Sequence, residues 1–225
     1  MLVKNWMSKD VITLTHDRSM MKAAKLLKDN DISRLPIVDE DGVLVGIVSD
    51  RDIKEASPSK ATTLDMHELY YLLSEIKIKD IMSRKVLTVS VEDTVEKAAV
   101  VMEENKIGGI PVVDAENKCV GIITNTDVFK VLISITGVLD GGVQVGLALS
   151  NKPGSLNGVL DYLKDNGGRV MSILTSYEPE QENMRHVFIR IHDMDKATLN
   201  KIREGLTEKF NLLYWVRDSV HGLTS

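Results

Sequence analysis

The first half of the chain falls on itself when shifted by 75 positions. Met7-Ser8 meets Met82-Ser83, Val11-x-Thr13 meets Val86-x-Thr88, and Lys22-Ala23-Ala24 meets Lys97-Ala98-Ala99. The register holds without a gap through Pro36-x-Val38-Asp39 on Pro111-x-Val113-Asp114 and Val45-Gly46-Ile47 on Val120-Gly121-Ile122, and it ends with Asp52 on Asp127. Sixteen of the 47 positions from Met7 to Ile53 are identical to their counterparts, and most of the rest are conservative. Self-similarity of this length means a duplicated supersecondary unit. Any fold for this chain must use that unit twice.

Each copy carries the same local pattern. A short β-rich run (Val11 to Leu14; Val86 to Val89) leads into a helix, and in copy one Met20, Ala23, Ala24 and Leu27 give that helix one apolar face. Two strands follow, Leu35 to Val38 and Val43 to Val48, joined by the turn Asp39-Glu40-Asp41-Gly42. A closing helix begins after Ser49, and its counterpart after Thr124. Strands so uniformly apolar are covered on both faces. One unit of this size cannot cover them alone, so the copies are expected to pack together. Copy one is placed at residues 1–56, copy two at 80–136, and a helical linker at 57–79. In the linker Ser57-Pro58-Ser59 ends the preceding helix, and His67 to Leu73 reads as a short amphipathic helix.

The pattern changes after Gly141-Gly142. Val143, Val145, Leu147 and Leu149 alternate as in a half-buried strand, and Asn151-Lys152-Pro153-Gly154 leads into a helix from Ser155 to Asn166 that Gly167-Gly168 stops. Strands follow at Val170 to Tyr177 and His186 to His192. Asp195 then caps a helix reaching about Phe210, and the last strand is Leu212 to Val216. The order is βαββαβ, the split-βαβ ferredoxin-like arrangement, over residues 143–218. The fold class is thus α/β (α+β): a duplicated unit followed by a ferredoxin-like domain.

Composition narrows the function classes. With 225 residues, 43% apolar, the chain can bury two modest cores. A net charge of −5 gives no global attraction to nucleic acid or anionic lipid. The single cysteine, Cys119, cannot close an internal disulfide, which fits a reducing compartment. The longest apolar stretch, Val131 to Leu139, is too short to span a bilayer, and the start lacks the pattern of a signal peptide. A cytoplasmic location is expected, with neither nucleic acid nor membrane as partner.

The chemistry sits at the end of each copy, in Gly46-Ile-Val-Ser49-Asp-Arg-Asp52 and Gly121-Ile-Ile-Thr124-Asn-Thr-Asp127. A hydroxyl beside free N–H groups at a helix start suits a phosphate, and a carboxylate one turn on can accept from the two hydroxyls of a ribose. The same spacing is also a capping box, in which the acid reaches back to the cap amide. Repetition does not separate the two readings, because a duplicated fold duplicates its caps. Arg34 tilts copy one toward the ligand reading: it precedes a strand next to the Ser49 strand, within reach of the same cleft. Its counterpart is Gly109. The asymmetry predicts one stronger and one weaker phosphate site.

The duplicated unit, with Leu35-Pro36 and Ile110-Pro111 before Val-Asp and then Val-Gly-Ile-x-[Ser/Thr]-x-x-Asp, resembles a tandem pair of CBS domains, a Bateman module, over residues 1 to about 135. The resemblance implies a central cleft for up to two adenosine-type ligands, such as AMP, ADP, ATP, NAD or S-adenosylmethionine, with no cofactor required. By position it assigns phosphate and ribose contacts to Ser49 and Asp52 and to Thr124 and Asp127, a phosphate contact to Arg34, and the adenine-lining strand to Thr13 and Thr88. Leu35, Pro36 and Pro111 complete the nucleotide set. Residues 143–218 resemble an ACT domain, whose Asp-x-Pro-Gly-x-Leu loop reads here Asn151-Lys152-Pro153-Gly154-Ser155-Leu156. That likeness implies an amino-acid or small-metabolite effector at Asn151, Pro153, Gly154 and Leu156, and pairing into a homodimer or a higher homo-oligomer. Asn151 lacks the charge that Asp would offer an ammonium group. The whole arrangement is similar to the acetoin-utilisation AcuB family, which implies a regulator with an unnamed target protein and a link to acetoin or central carbon metabolism.

A catalytic role is not expected. The histidines are scattered, with no metal-ligand spacing, so no metal is expected. There is no G-x-x-x-x-G-K-[ST] loop and no G-x-S-x-G elbow. Cys119 enters an apolar strand, which suggests a buried thiol rather than a nucleophile. A ligand-independent interaction scaffold is the alternative to a sensor.

Overall fold

A computed structural model of the chain describes residues 1–57, 71, 74–177, 183–218 and 220. The expected linker helix at His67 to Leu73 lies outside the described residues apart from Tyr71, as does most of the loop after Tyr177. Two compact units form, Met1–Phe129 and Lys130–Ser225.

In the first unit each repeat builds a three-stranded sheet of the same order, β1-β2-β3 and β4-β5-β6. Repeat one comprises β1 (Leu14–Thr15), α1 (Met20–Asp29), β2 (Arg34–Val38), β3 (Leu44–Ser49) and α2 (Asp50–Ala56). Repeat two is led in by the short α3 (Ile78–Ile81) and comprises β4 (Val89–Ser90), α4 (Val95–Glu104), β5 (Gly109–Val113), β6 (Cys119–Thr124) and the start of α5 (Asn125–Thr136), a helix that continues past Phe129 into the second unit. Local chemistry sets these bounds identically in both copies. Ser19 and Thr94 cap α1 and α4 by accepting from the Lys22 and Lys97 N–H groups. Asp31 and Lys106, just past those helices, turn the chain with left-handed φ of 50° and 54°. Asp39 and Asp114 close the β-turns by accepting from the amides of Val43 and Lys118, at 2.9 Å and 2.8 Å.

The copies join by reciprocal contacts. Ser8 bridges to Ile122 and Ser83 to Ile47, while Val43 bridges to Lys118, its own counterpart. The Leu44 amide donates to Asn117 O, and the Cys119 amide to Gly42 O. Every such bond maps onto its partner at the 75-residue shift, as contacts across a two-fold axis must. The same exchange packs the side chains: Met82 lies against Gly46, and Met7 against Gly121, where a Cβ would meet Met7 Sδ at 2.7 Å.

The segments ahead of each repeat are exchanged too. Val3 donates its amide to Asp93 O, and Ile78 to Arg18 O, so each lead-in docks on the other copy. Both side chains are fully buried. Ile78 and Met82 belong to the same core cluster as Met20, Leu27, Leu35, Ile37 and Val48 of repeat one. Neither repeat has a complete core of its own, which is the physical reason the two form one unit.

The second unit holds β7 (Val143–Ser150), α6 (Ser155–Asp165), β8 (Val170–Ser176), β9 (Met184–Ile191), α7 (Lys196–Lys209) and β10 (Asn211–Val216). Its antiparallel sheet runs β10-β7-β9-β8, the ferredoxin-like strand order. The inward residues Val145, Leu147, Val187 and Ile189 pack with Val159 and Leu163 of α6 and with Ile202 and Leu206 of α7. On β9 the guanidinium of Arg190, 3% exposed, pairs with Asp218 at 2.8 Å and donates to Gly141 O.

Candidate functional site

Ser49 and Asp52 form the full capping box, and in copy two Asp127 reaches back to Thr124 in the same way. In copy one Asp52 Oδ2 accepts from the Ser49 amide and from Ser49 Oγ, each at 2.7 Å. In copy two Asp127 Oδ2 accepts from the Thr124 amide at 3.0 Å and from Thr124 Oγ1 at 2.8 Å. One carboxylate oxygen of each acid is therefore used in closing its helix. The copies differ in exposure: Asp127 is 4% exposed, whereas Asp52 is only half-buried and borders a cleft.

Two clefts lie where the copies meet, each built from both. The Ser49 cleft, about 470 Å³, takes Ile47 and Ser49 through Asp52 from repeat one. Repeat two supplies Ser83, the run Lys85-Val86-Leu87, and Lys106, Ile107, Gly109 and Pro111. The Thr124 cleft, about 350 Å³, is its counterpart: Ile122, Thr124 and Thr126 face Ser8, Asp10-Val11-Ile12, Asp31-Ile32-Ser33 and Pro36. Both volumes fall in the range of small-ligand pockets. The composite character has a simple cause. The reciprocal Ser8–Ile122 and Ser83–Ile47 bridges set the lead-in of one copy beside the closing strand of the other.

Arg34 lines both clefts. It stands opposite Ser49 in the β2–β3 register, as Gly109 stands opposite Thr124. Its side chain crosses to repeat two and lies along Gly108 and Gly109; a Cβ on Gly108 would sit 2.7 Å from Arg34 Nη2. The missing arginine of copy two is thus explained by space, since Arg34 fills the room in which its counterpart would have to sit. Among the described residues the guanidinium makes one hydrogen bond, to Ser33 Oγ at 3.1 Å, and no ion pair. The hydrogen bond from Lys54 first, and to a lesser degree the Arg34 charge, hold the Asp50 carboxyl below the usual range. It is placed to meet an anion in either cleft.

The other expected residues fall as follows. Pro36 and Thr124 line the Thr124 cleft, and Ser49, Asp52 and Pro111 the Ser49 cleft. Leu35 is fully buried in the repeat-one core, and Asp127 does not reach the cleft surface. Thr13 and Thr88 line neither cleft; the residues that do are Val11 and Ile12, and Val86 and Leu87, one step earlier on the same extended segments. Sequence reasoning passed over Asp10, Asp31, Arg51, Lys85 and Lys106. The signal that marks them is a change of charge at equivalent positions of a repeat.

In the second unit Asn151, Pro153 and Gly154 form an exposed turn, with Gly154 at φ +83° just before α6. The Asn151 amide donates to Asn183 O at 2.8 Å, and Leu156 packs against the domain core. None of these four residues lines either cleft. Cys119 is half-buried rather than buried, with Sγ 3.6 Å from Gly121 O, and burial pushes its thiol above the usual cysteine range. Among the described residues no cluster of three or more His, Cys, Asp and Glu side chains can hold a metal ion, and no helix is long and apolar enough to cross a membrane.

Comparison with known proteins agrees with this architecture. A CBS domain-containing protein of Dictyostelium discoideum is 35% identical over 134 residues, covering 60% of this chain and 92% of that one. The L-aspartate semialdehyde sulfurtransferase of Methanocaldococcus jannaschii is 38% identical over 129 residues, but the chain spans only 23% of that enzyme's length. Among solved structures, one described as an acetoin utilization protein (AcuB) of Vibrio cholerae superposes with a TM-score of 0.51 at 30% identity, covering 62% of this chain and 95% of that one. The CBS-pair protein CBSX2 of Arabidopsis thaliana gives 0.50 at 29%, covering 60% and 95%. The CBS domain model itself matches residues 3–59 and 78–134, just over half of the chain, so the chain belongs to the CBS domain family with two tandem copies.

Proposed function

We propose that this protein is a regulator that senses an adenosine-type ligand in the clefts of its CBS pair. The observation that carries the reading is Arg34: a guanidinium that forms no ion pair among the described residues stands between two clefts, each edged by a hydroxyl at a strand end. Ser49 and Thr124 supply those hydroxyls. Asp52 keeps a second carboxylate oxygen beyond its cap, suited to a ribose, while Val86 and Leu87 offer apolar contact to a base. Family membership supports the same ligand class, with AMP, ADP, ATP, NAD and S-adenosylmethionine as candidates. Signalling then requires that the ligand favour one pose of the repeats over another. The ferredoxin-like unit is read as an ACT-type module for an amino acid or small metabolite at Asn151 to Leu156. In this reading the protein is a cytoplasmic homodimer acting on a partner protein, with the acetoin link as the finer suggestion.

A ligand at a hundred times its Kd stabilises its protein by about 2.7 kcal/mol, which thermal unfolding detects readily. Thermal unfolding of the full chain with each of the five candidates tests the reading. It expects at least one to raise the melting temperature, and Arg34→Ala to weaken that response. Five unmoved curves would overturn it. The cap contacts favour a second reading, because the Ser49 and Thr124 hydroxyls already spend their O–H donors on Asp52 and Asp127 without a ligand. In that case the CBS pair is an oligomeric scaffold, and Asp52→Ala lowers stability while no candidate has an effect.

A further inference from the structure

The two clefts share backbone, bridges and Arg34, and they differ in charge. Where the Ser49 cleft has Lys85, Lys106 and Arg51, the equivalent positions of the Thr124 cleft hold Asp10, Asp31 and Thr126. The Ser49 cleft thus sets four cations against the two carboxylates of Asp50 and Asp52, and the Thr124 cleft sets Arg34 alone against two. Neighbouring pairs deepen the contrast. Lys54 engages Asp50 at 2.8 Å and draws part of its charge away from the cleft, while Lys85 makes no ion pair among the described residues. Arg51 and Lys106 do pair, with Glu55 and Glu103, but these are exposed contacts of the kind worth little.

We infer that the clefts sort ligands by charge: the Ser49 cleft takes the phosphorylated adenosine compound, and the Thr124 cleft excludes phosphate and takes an uncharged or cationic nucleoside. The inference rests on the adenosine-type reading above and adds to it which cleft holds which chemistry. A phosphate in the Ser49 cleft meets Lys85, Lys106 and Arg34 in a partly enclosed space, where charge-assisted hydrogen bonds are stronger than in open water. In the Thr124 cleft the same phosphate faces Asp10 and Asp31, whose repulsion opposes the attraction of Arg34. A sulfonium or ammonium group there gains from both carboxylates.

Calorimetric titration of the full chain with AMP, adenosine and S-adenosylmethionine tests this, using two double variants. Lys85→Asp/Lys106→Asp and Asp10→Lys/Asp31→Lys each install the residue that the equivalent position already carries. All four side chains are exposed, and Asp31 and Lys106 share one backbone conformation, so the exchanges leave the fold intact. The expected results are one AMP site per chain in the parent and a loss of about tenfold or more in AMP affinity on reversing the lysines. Reversing the aspartates should create a second AMP site and weaken S-adenosylmethionine. Two equal AMP sites in the parent, or AMP binding that falls with the aspartate reversal and not with the lysine reversal, overturn the inference while leaving the adenosine reading standing. Adenosine binding without AMP binding does the same. If none of the three binds, the adenosine reading itself fails.

Discussion

At Ser49 and at Thr124 a hydroxyl residue, an acid three positions on and a strand opposite an Arg or Gly are laid out on one backbone plan, down to the bulge near the end of β2 and of β5. The bridges that join the copies are exchanged bond for bond. What the plan carries differs: Asp52 stays half-buried at a cationic cleft, while Asp127 is sealed behind an acidic one. Duplication preserves what the fold requires, namely caps, turns and the fit of Met against Gly. The charges around the clefts are free of that requirement, so they are where the copies part. Equivalent residues, changed as pairs, measure how far the copies have diverged.

The largest effect is expected at the exchanged lead-ins. Ile78 and Val3 occupy equivalent, fully buried positions, each in the other copy's territory. Ile78→Ala should cost about 3–4 kcal/mol and Val3→Ala about 2, in line with the methylenes removed and the cavity left. Urea denaturation followed by circular dichroism measures both. If each copy instead has an independent core, either change will cost under about 1 kcal/mol and the transition will split in two.

A smaller difference should appear at the paired glycines. At Gly46 the three atoms nearest a new methyl all belong to the Met82 side chain, and none is backbone. At Gly121 it meets Met7 and also the Ser8 carbonyl at 2.9 Å, and that carbonyl accepts the Ile122 amide of the inter-repeat bridge. Gly121→Ala should therefore cost about 3 kcal/mol and Gly46→Ala about 1, overpacking being dearer where backbone cannot yield. Equal costs would mean that the two Met–Gly contacts relax alike.

The caps come next. Asp127→Ala strands two donors, the Thr124 amide and hydroxyl, beside a carboxylate site that is 4% exposed, at about 2 kcal/mol. Asp52→Ala strands the same pair where water can enter, at about 1 kcal/mol. Melting temperatures of the two variants give the order. A reversed order would show that Asp52, and not Asp127, is the structural acid.

Much of this was legible in the sequence because it is local. The 75-residue shift, the strands flanking Asp39 and Asp114, the caps at Ser49 and Thr124 and the βαββαβ order are written within a few residues of where they act. The rest depends on which copy meets which. Periodicity places Met7 and Gly121 in the pattern but does not say that one fills the space above the other. Nor does it show that Ile78, ahead of repeat two, completes the core of repeat one. For the same reason Arg34 reads as a copy-one residue when its side chain lies on copy two. Thr13 and Thr88 fit a lining strand by position, yet the strands proper begin one residue later and the clefts are lined by the residues before them.

The smallest effect concerns a thiol. Cys119 stands where copy one has Leu44, a residue 8% exposed, and burial raises its thiol above the usual value near 8.5. Only the thiolate reacts, so at pH 7 alkylation should run several-fold slower than that of an unhindered peptide thiol. Because the folded thiol titrates higher, its rate should keep climbing at pH values where the free thiol has already levelled off. Iodoacetamide kinetics between pH 7 and 10 on the native chain, with the unfolded chain as reference, measure the displacement. The mirrored variant Leu44→Cys/Cys119→Leu moves the thiol to the better-sealed side and should slow it further. If the mirrored thiol proves faster, copy one is the looser of the two at this position, and the equivalence of the repeats ends at their backbone.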